Sequence, residues 1–227
     1  VARSLEDTAT DPAVPPAAAG PEQALHVHVA ETVRQEIGDM HLVTLEAHIG
    51  DAAGKSVLRT TVVERSNAVG VIAYDDRLDE VILVEQFRAG PHVAAGLPTM
   101  LEVVAGYMDP GESARESAQR ELQEETGLVT DRMVHIATYF PAPTLSTERM
   151  SLWCGLVDSC TAWTHSANGA ERIRVVRLTG AQAIALVLQD EVTNALTLTA
   201  LQWLIQARPV LLATHSKDAS CPTLHNA

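Results

Sequence analysis

Alternation of apolar and polar positions over residues 42–48, 56–65, 68–74, 80–87 and 100–106 predicts five strands, with turns at Gly50-Asp51 and Asp75-Asp76. Residues 133–140, 150–157 and 173–178 continue that pattern, and His26 and His28 alternate in a further strand. The period changes in three places. Residues 181–188 and 195–206 predict helices, the second carrying Leu196, Ala200, Trp203 and Leu204 at helical spacing. A third helix is expected over 114–126. There Ser113 and Glu116 form an S-x-x-E capping box after the Asp109-Pro110-Gly111 turn, and Gly127 is a natural stop. Its stripe Ala114, Ala118 and Leu122 should pack on a sheet, with Glu121 and Glu125 half-buried at the edge. Strands and helices mixed in this way give an α/β class, a sandwich with helices on either side of a mixed sheet.

The ends change the picture little. Residues 1–22 are rich in proline, alanine and acids without periodicity, so a disordered leader is expected, and 212–227 read as a tail. The leader lacks the basic start and apolar core of a secretory signal, which leads to the expectation of a cytoplasmic protein. Between the ends, 23–66 read as amino-terminal strands and 67–211 as the main domain.

Composition narrows the function. The 227 residues are 46% hydrophobic, enough for one sizeable core, and no apolar run approaches the ~18 residues of a membrane span. A formal charge of -13 argues against a general nucleic-acid or anionic-membrane surface. Cys154, Cys160 and Cys221 have no metal-site spacing and read as reduced structural thiols; His26 and His28 lack a third ligand for zinc.

The acids of the 114–126 helix carry the chemistry. Glu116, Arg120 and Glu124 are spaced as a ladder of opposite charges. Glu121 and Glu125 are also four apart but alike in charge, with no Lys or Arg three or four positions away inside the helix. Such a pair is destabilising unless a cation sits between its members. A hard divalent ion bound by carboxylate oxygens answers this, with Mg²⁺ the usual choice beside a phosphate and Mn²⁺ a substitute.

Gly106, Glu112, Arg120-Glu121, Leu122, Glu124-Glu125, Gly127 and Leu128 together resemble the Nudix box at every defined position. The segments YDDRLDEVILVEQFR, LEVVAGYMDPGE, PAPTLSTER and NALTLTALQWL are similar to the ADP-ribose pyrophosphatase branch of that family. The resemblance implies a Nudix-type α/β/α sandwich preceded by an antiparallel β region. It implies hydrolysis of nucleoside diphosphate sugars, ADP-ribose giving AMP and ribose 5-phosphate, with GDP-mannose, another nucleotide sugar or a dinucleotide as alternatives. A non-catalytic nucleotide sensor is the reading from another class.

On the same basis two or three ions are held by Glu121, Glu124, Glu125, the Ala105 carbonyl and Glu171, while Gly106, Glu112, Arg120 and Gly127 support the box. Substrate contacts fall on Glu64, Arg65, Arg88, Tyr107 and Glu148. A homodimer built through the amino-terminal strands is also implied. Two places depart from the family pattern. The loop TAWTHSANGAER offers a single carboxylate, Glu171, with Gly169 where the general base is expected, so Glu171 is taken as the essential loop carboxylate. Gly38-Asp39-Met40-His41 stands where base-stacking aromatics are expected, leaving the nucleoside open.

Overall fold

The computed structural model describes residues 26–37, 40–51, 54–163, 165–168 and 171–213. The expected leader, most of the expected tail, Gly38-Asp39 and Gly169 lie outside the described residues.

Three long strands, β1 (His26–Ile37), β2 (Met40–Asp51) and β3 (Gly54–Glu64), form an antiparallel sheet in the order β1-β2-β3. Gly50 and Asp51, expected as a turn, extend β2 and pair with Lys55 and Gly54. A register shift between Val29 and Glu31 marks a bulge in β1.

The rest is built on β4 (Ala68–Asp75), β5 (Glu80–Gln86), β6 (Met100–Glu102), β7 (Val104–Tyr107), β8 (Met133–Tyr139), β9 (Met150–Leu156), β10 (His165–Asn168) and β11 (Glu171–Thr179). Their order is β10-β11-β5-β4-β9-β8, with β6 on β5 and β7 on β4. The β4–β9 pair is parallel, while β5 pairs antiparallel with β4 and with β11, so the sheet is mixed as expected. Among the described residues the α-helices are α1 (Ala89–Ala95), α2 (Ala114–Thr126), α3 (Gly180–Leu188) and α4 (Ala195–Ala213).

Alternation along β4 fixes the layers. Val69, Val71 and Ala73 join Ala114, Ala118 and Leu122 of α2 in one buried cluster with Ile82, Val84 and Trp153. Gly70 points the other way, and a Cβ there would lie 2.9 Å from the Leu196 side chain of α4. The sheet therefore lies between α2 and α4, the α/β/α sandwich read from the sequence.

Several boundaries differ from expectation for local reasons. The predicted strand 100–106 divides at Val103, whose N–H is taken by the Thr197 hydroxyl at 3.0 Å. Helix α1 was not foreseen because none of its residues is buried and it carries no periodic stripe. Helix α4 runs past Gln206 to Ala213, with Pro209 inside it. Cys154 is a free, buried thiol, but Cys160 is disulfide-bonded, against the expectation that all three cysteines are reduced. No helix among the described residues is long and apolar enough to cross a membrane.

The chain divides into two compact units. Among the described residues one holds Ala68–Ala137 and 150–213, and the other holds 26–67 and Thr138–Arg149. The segment Thr138–Arg149, counted with the main domain in the sequence reading, thus groups with the amino-terminal strands. It is tied there by a parallel bridge between Val63 and Ser146.

Candidate active site

Helix α2 begins as its sequence dictates. Ser113 Oγ accepts the Glu116 N–H at 3.2 Å, and Glu116 Oε2 accepts the Ser113 N–H at 2.9 Å. The helix ends at Gly127, whose φ of 74° is costly for any residue with a Cβ. Ala114, Ala118 and Leu122 are buried as the stripe required, and Glu125 is only 7% exposed. Side-chain exposure is 13% for Glu121 and 42% for Glu124. The last turn carries acids and no basic residue, at the end of a helix where the backbone dipole disfavours negative charge.

Of the expected i,i+4 ladder Arg120 keeps the Glu124 rung and adds three other partners. Its Nε donates to Glu112 Oε1 at 3.0 Å, its Nη1 to Glu121 at 2.8 Å and Glu124 at 3.3 Å, and its Nη2 to the Tyr107 carbonyl at 2.9 Å. Glu116 turns back to the cap instead of along the helix. A cation thus reaches Glu121 from the adjacent residue, a pairing outside the three- and four-residue spacings considered from the sequence. Glu112 is held near its ionised form, its pKa pushed down to about 2, first by the Arg120 hydrogen bonds and then by the Ser117 hydroxyl. Glu121 is moved the other way: burial raises it, and the bond to Arg120 only partly opposes this.

Gly106 explains where Glu121 goes. In β7, Gly106 pairs with Val69 and Ala105 with Gly70. A Cβ built on Gly106 would lie 2.0 Å from both Cδ and Oε1 of Glu121. The glycine is therefore a seat that lets the carboxylate lie directly on the strand, beside the Ala105 peptide.

Carboxylates and a peptide carbonyl are a hard oxygen donor set, without thiolate or imidazole, and so suit a divalent cation of the Mg²⁺ or Mn²⁺ kind. As they lie here Glu121 and Glu124 are engaged with Arg120. Among the described residues no three His, Cys, Asp or Glu side chains gather as a metal cluster. Ion binding would require the glutamates to turn from the arginine.

The other sequence-derived residues fall in both units. Arg88, two residues past β5 and the N-cap of α1, donates from Nε to Glu102 Oε2 at 2.8 Å. Glu102 is 4% exposed, and its second oxygen accepts from Asn194 Nδ2 at 2.6 Å. Asn194 also accepts the Thr197 N–H at 2.9 Å, at the start of α4. Glu102 and Asn194 were not singled out from the sequence, although an acid between Leu101 and Val103 in an apolar run was a signal available there. The Tyr107 side chain is exposed.

In the second unit, Arg65 Nε lies 3.3 Å from Glu148 Oε2, and Glu64 lies 3.8 Å from Arg34. Glu171 is the first residue of β11 and pairs through its backbone with Asn168; its side chain lies outside the described part.

The chain is similar to known proteins in sequence and in fold. A family model described as NUDIX domain matches residues 64–188. The ADP-ribose pyrophosphatase of Escherichia coli strain K12 is 36% identical over 149 residues, covering 65% of this chain and 71% of that protein. The ADP-ribose pyrophosphatase of Haemophilus influenzae is 34% identical over 159 residues, covering 67% and 73%. Among solved structures, one described as an ADP compounds hydrolase superposes with a TM-score of 0.60 at 20% identity, covering 80% of this chain and 96% of that one, a likeness of fold.

Proposed function

We propose that this chain, which belongs to the NUDIX domain family, hydrolyses the diphosphate bridge of ADP-ribose, giving AMP and ribose 5-phosphate. Family membership makes it a Nudix hydrolase acting on a phosphoric anhydride, dependent on a divalent metal. The observation that carries the reading is the seat formed by Gly106, which holds a buried carboxylate of the complete box against the β7 backbone.

In this reading Glu121, Glu124 and Glu125, with the Ala105 carbonyl and Glu171, hold two or three Mg²⁺ ions, Mn²⁺ substituting. Bound there, the ions would offset charge on the diphosphate and lower the pKa of water. Arg120 aligns Glu121 and Glu124, and its bond to Glu121 partly opposes the rise that burial gives that carboxyl. Arg88 is oriented through Nε by Glu102, and its Nη edge is assigned to a diphosphate oxygen, where a planar guanidinium suits the anion. Glu171 accepts the proton of the attacking water. Glu64, Arg65, Tyr107 and Glu148 are kept as substrate contacts. Exposed apolar residues on the first sheet, Val27, Val29, Val33, Ile37, Val57 and Leu58, support a homodimer formed through it.

The test is hydrolysis of ADP-ribose, NADH, ADP-glucose, GDP-mannose and diadenosine polyphosphates with Mg²⁺ or Mn²⁺, followed by product identification. AMP and ribose 5-phosphate from ADP-ribose as the fastest reaction supports the reading. A faster reaction with GDP-mannose moves the assignment to that sugar nucleotide. Tight ADP-ribose binding without turnover would replace the enzyme with a sensor.

A further inference from the structure

The chain that leads into the Glu171 hairpin meets the end of the box helix at Trp163. Ala162 packs against the central core cluster, and the Trp163 N–H donates to the Thr126 carbonyl at 2.8 Å, in the last turn of α2. The Trp163 indole then lies against Gly127. A Cβ on that glycine would fall 2.3 Å from Cε2, 2.4 Å from Nε1 and 2.6 Å from Cδ2 of the ring. Gly127 is thus needed twice, for its left-handed backbone and as a floor for the indole.

Strand β10 starts two residues later, at His165, and runs antiparallel to β11, so that Asn168 lies opposite Glu171. Trp163 stands at the root of this hairpin, and Glu171, opposite Asn168, lies toward its tip, about 10 Å beyond His165 at ~3.3 Å per strand residue. A swing of roughly 10° at the root would move the tip by about 2 Å. Misplacement of a reacting group by ~1 Å can cost ~10²-fold in rate. Trp163 is half-exposed, so little of its ring is spent on filling the core.

We infer that Trp163 is a positioning residue: its indole, clamped on Gly127, holds the β10–β11 hairpin against the box helix so that Glu171 stands in working register with Glu121 and Glu125. This rests on the role given to Glu171 above. Gly127, in turn, serves the loop as well as its own helix.

The test compares Trp163→Leu, Trp163→Phe, Glu171→Gln and the double variant Trp163→Leu/Glu171→Gln in the full chain, measuring kcat and KM for ADP-ribose with Mg²⁺. Trp163→Leu should lower kcat by about 10–100-fold with KM within about 3-fold, and Trp163→Phe, which keeps a flat ring, should recover most of the rate. In the Glu171→Gln background the leucine should cost less than about 3-fold, since the group it positions is already gone. Should Trp163→Leu not fold, Gly127→Ala displaces the same ring from below and should show the same dependence on Glu171.

An unchanged kcat in Trp163→Leu beside a crippled Glu171→Gln overturns the inference and leaves the assigned function standing. Equal losses in both backgrounds also overturn it, because they mark packing alone. Full activity of Glu171→Gln overturns the role of Glu171 itself and the inference with it.

Discussion

Replacing Gly106 with alanine adds one methyl group at the point where the Glu121 carboxylate rests. The new carbon would lie 2.0 Å from Cδ and Oε1 and 2.4 Å from Oε2, against an ordinary contact of at least 3.4 Å. About 1.4 Å of overlap must be relieved. The backbone has little room to retreat, because Gly106 is paired with Val69 of β4, a strand buried along its whole length. The carboxylate can, because it is the end of a flexible side chain. Stability should therefore fall by only about 1 kcal/mol, the low end of overpacking costs, which for a chain of this size is roughly 2–4 °C in Tm. Activity should fall far more. A metal-binding group displaced by more than 1 Å predicts a loss of ~10²-fold or greater in kcat and a higher Mg²⁺ requirement. Paired measurements of Tm and of ADP-ribose hydrolysis against Mg²⁺ concentration decide the matter. Full kcat with an unaltered Mg²⁺ response in folded Gly106→Ala would refute the seat.

Other expectations follow from neighbouring contacts. Glu102→Ala removes the carboxylate that orients Arg88, so KM for ADP-ribose should rise ~10-fold or more, approaching that of Arg88→Ala; an unchanged KM would separate the two residues. The Glu112 carboxyl has a folded-state pKa of about 2, below its ordinary value, so ionised Glu112 favours the folded state. That contribution is complete above the ordinary carboxylate pKa and fades as pH drops from about 4.5 toward 2. The Tm gap between wild type and Glu112→Gln should shrink across that window, and a gap constant with pH would contradict the assignment. Arg208 donates to Asp79, which also accepts from the Tyr74 hydroxyl at 2.9 Å. Arg208→Ala should lose about 1–3 kcal/mol of stability in denaturant titration while kcat is kept; a selective loss of kcat would speak against this purely structural role.

Periodicity and local capping made the core of this fold legible. Ser113, Glu116 and Gly127 set the ends of α2 through contacts three or four residues long, and the stripe at Ala114, Ala118 and Leu122 needed only a sheet to face. Pairing across a turn was harder to see. Glu112 reaches Arg120 because Gly111, at φ 90°, folds the chain back over the first turn of the helix, which regular i,i+4 spacing cannot reveal. Longer links were not legible at all. Glu102 makes sense as a buried acid only with Asn194, 92 positions away, and Arg65 found Glu148 across 83. Helix α1 escaped because, with no buried residue, it leaves no periodic trace.

The central claim is that the buried acids at the end of α2 act by holding a divalent cation. Mg²⁺-dependent release of AMP from ADP-ribose by Glu121→Gln and Glu125→Gln, each shown to be folded by its melting curve, tests it most directly. A fall in kcat of ~10²-fold or more in both, with the rate abolished in wild type by a chelator and restored by Mg²⁺, is the predicted result. Wild-type rates and an unchanged Mg²⁺ response in both variants would contradict it.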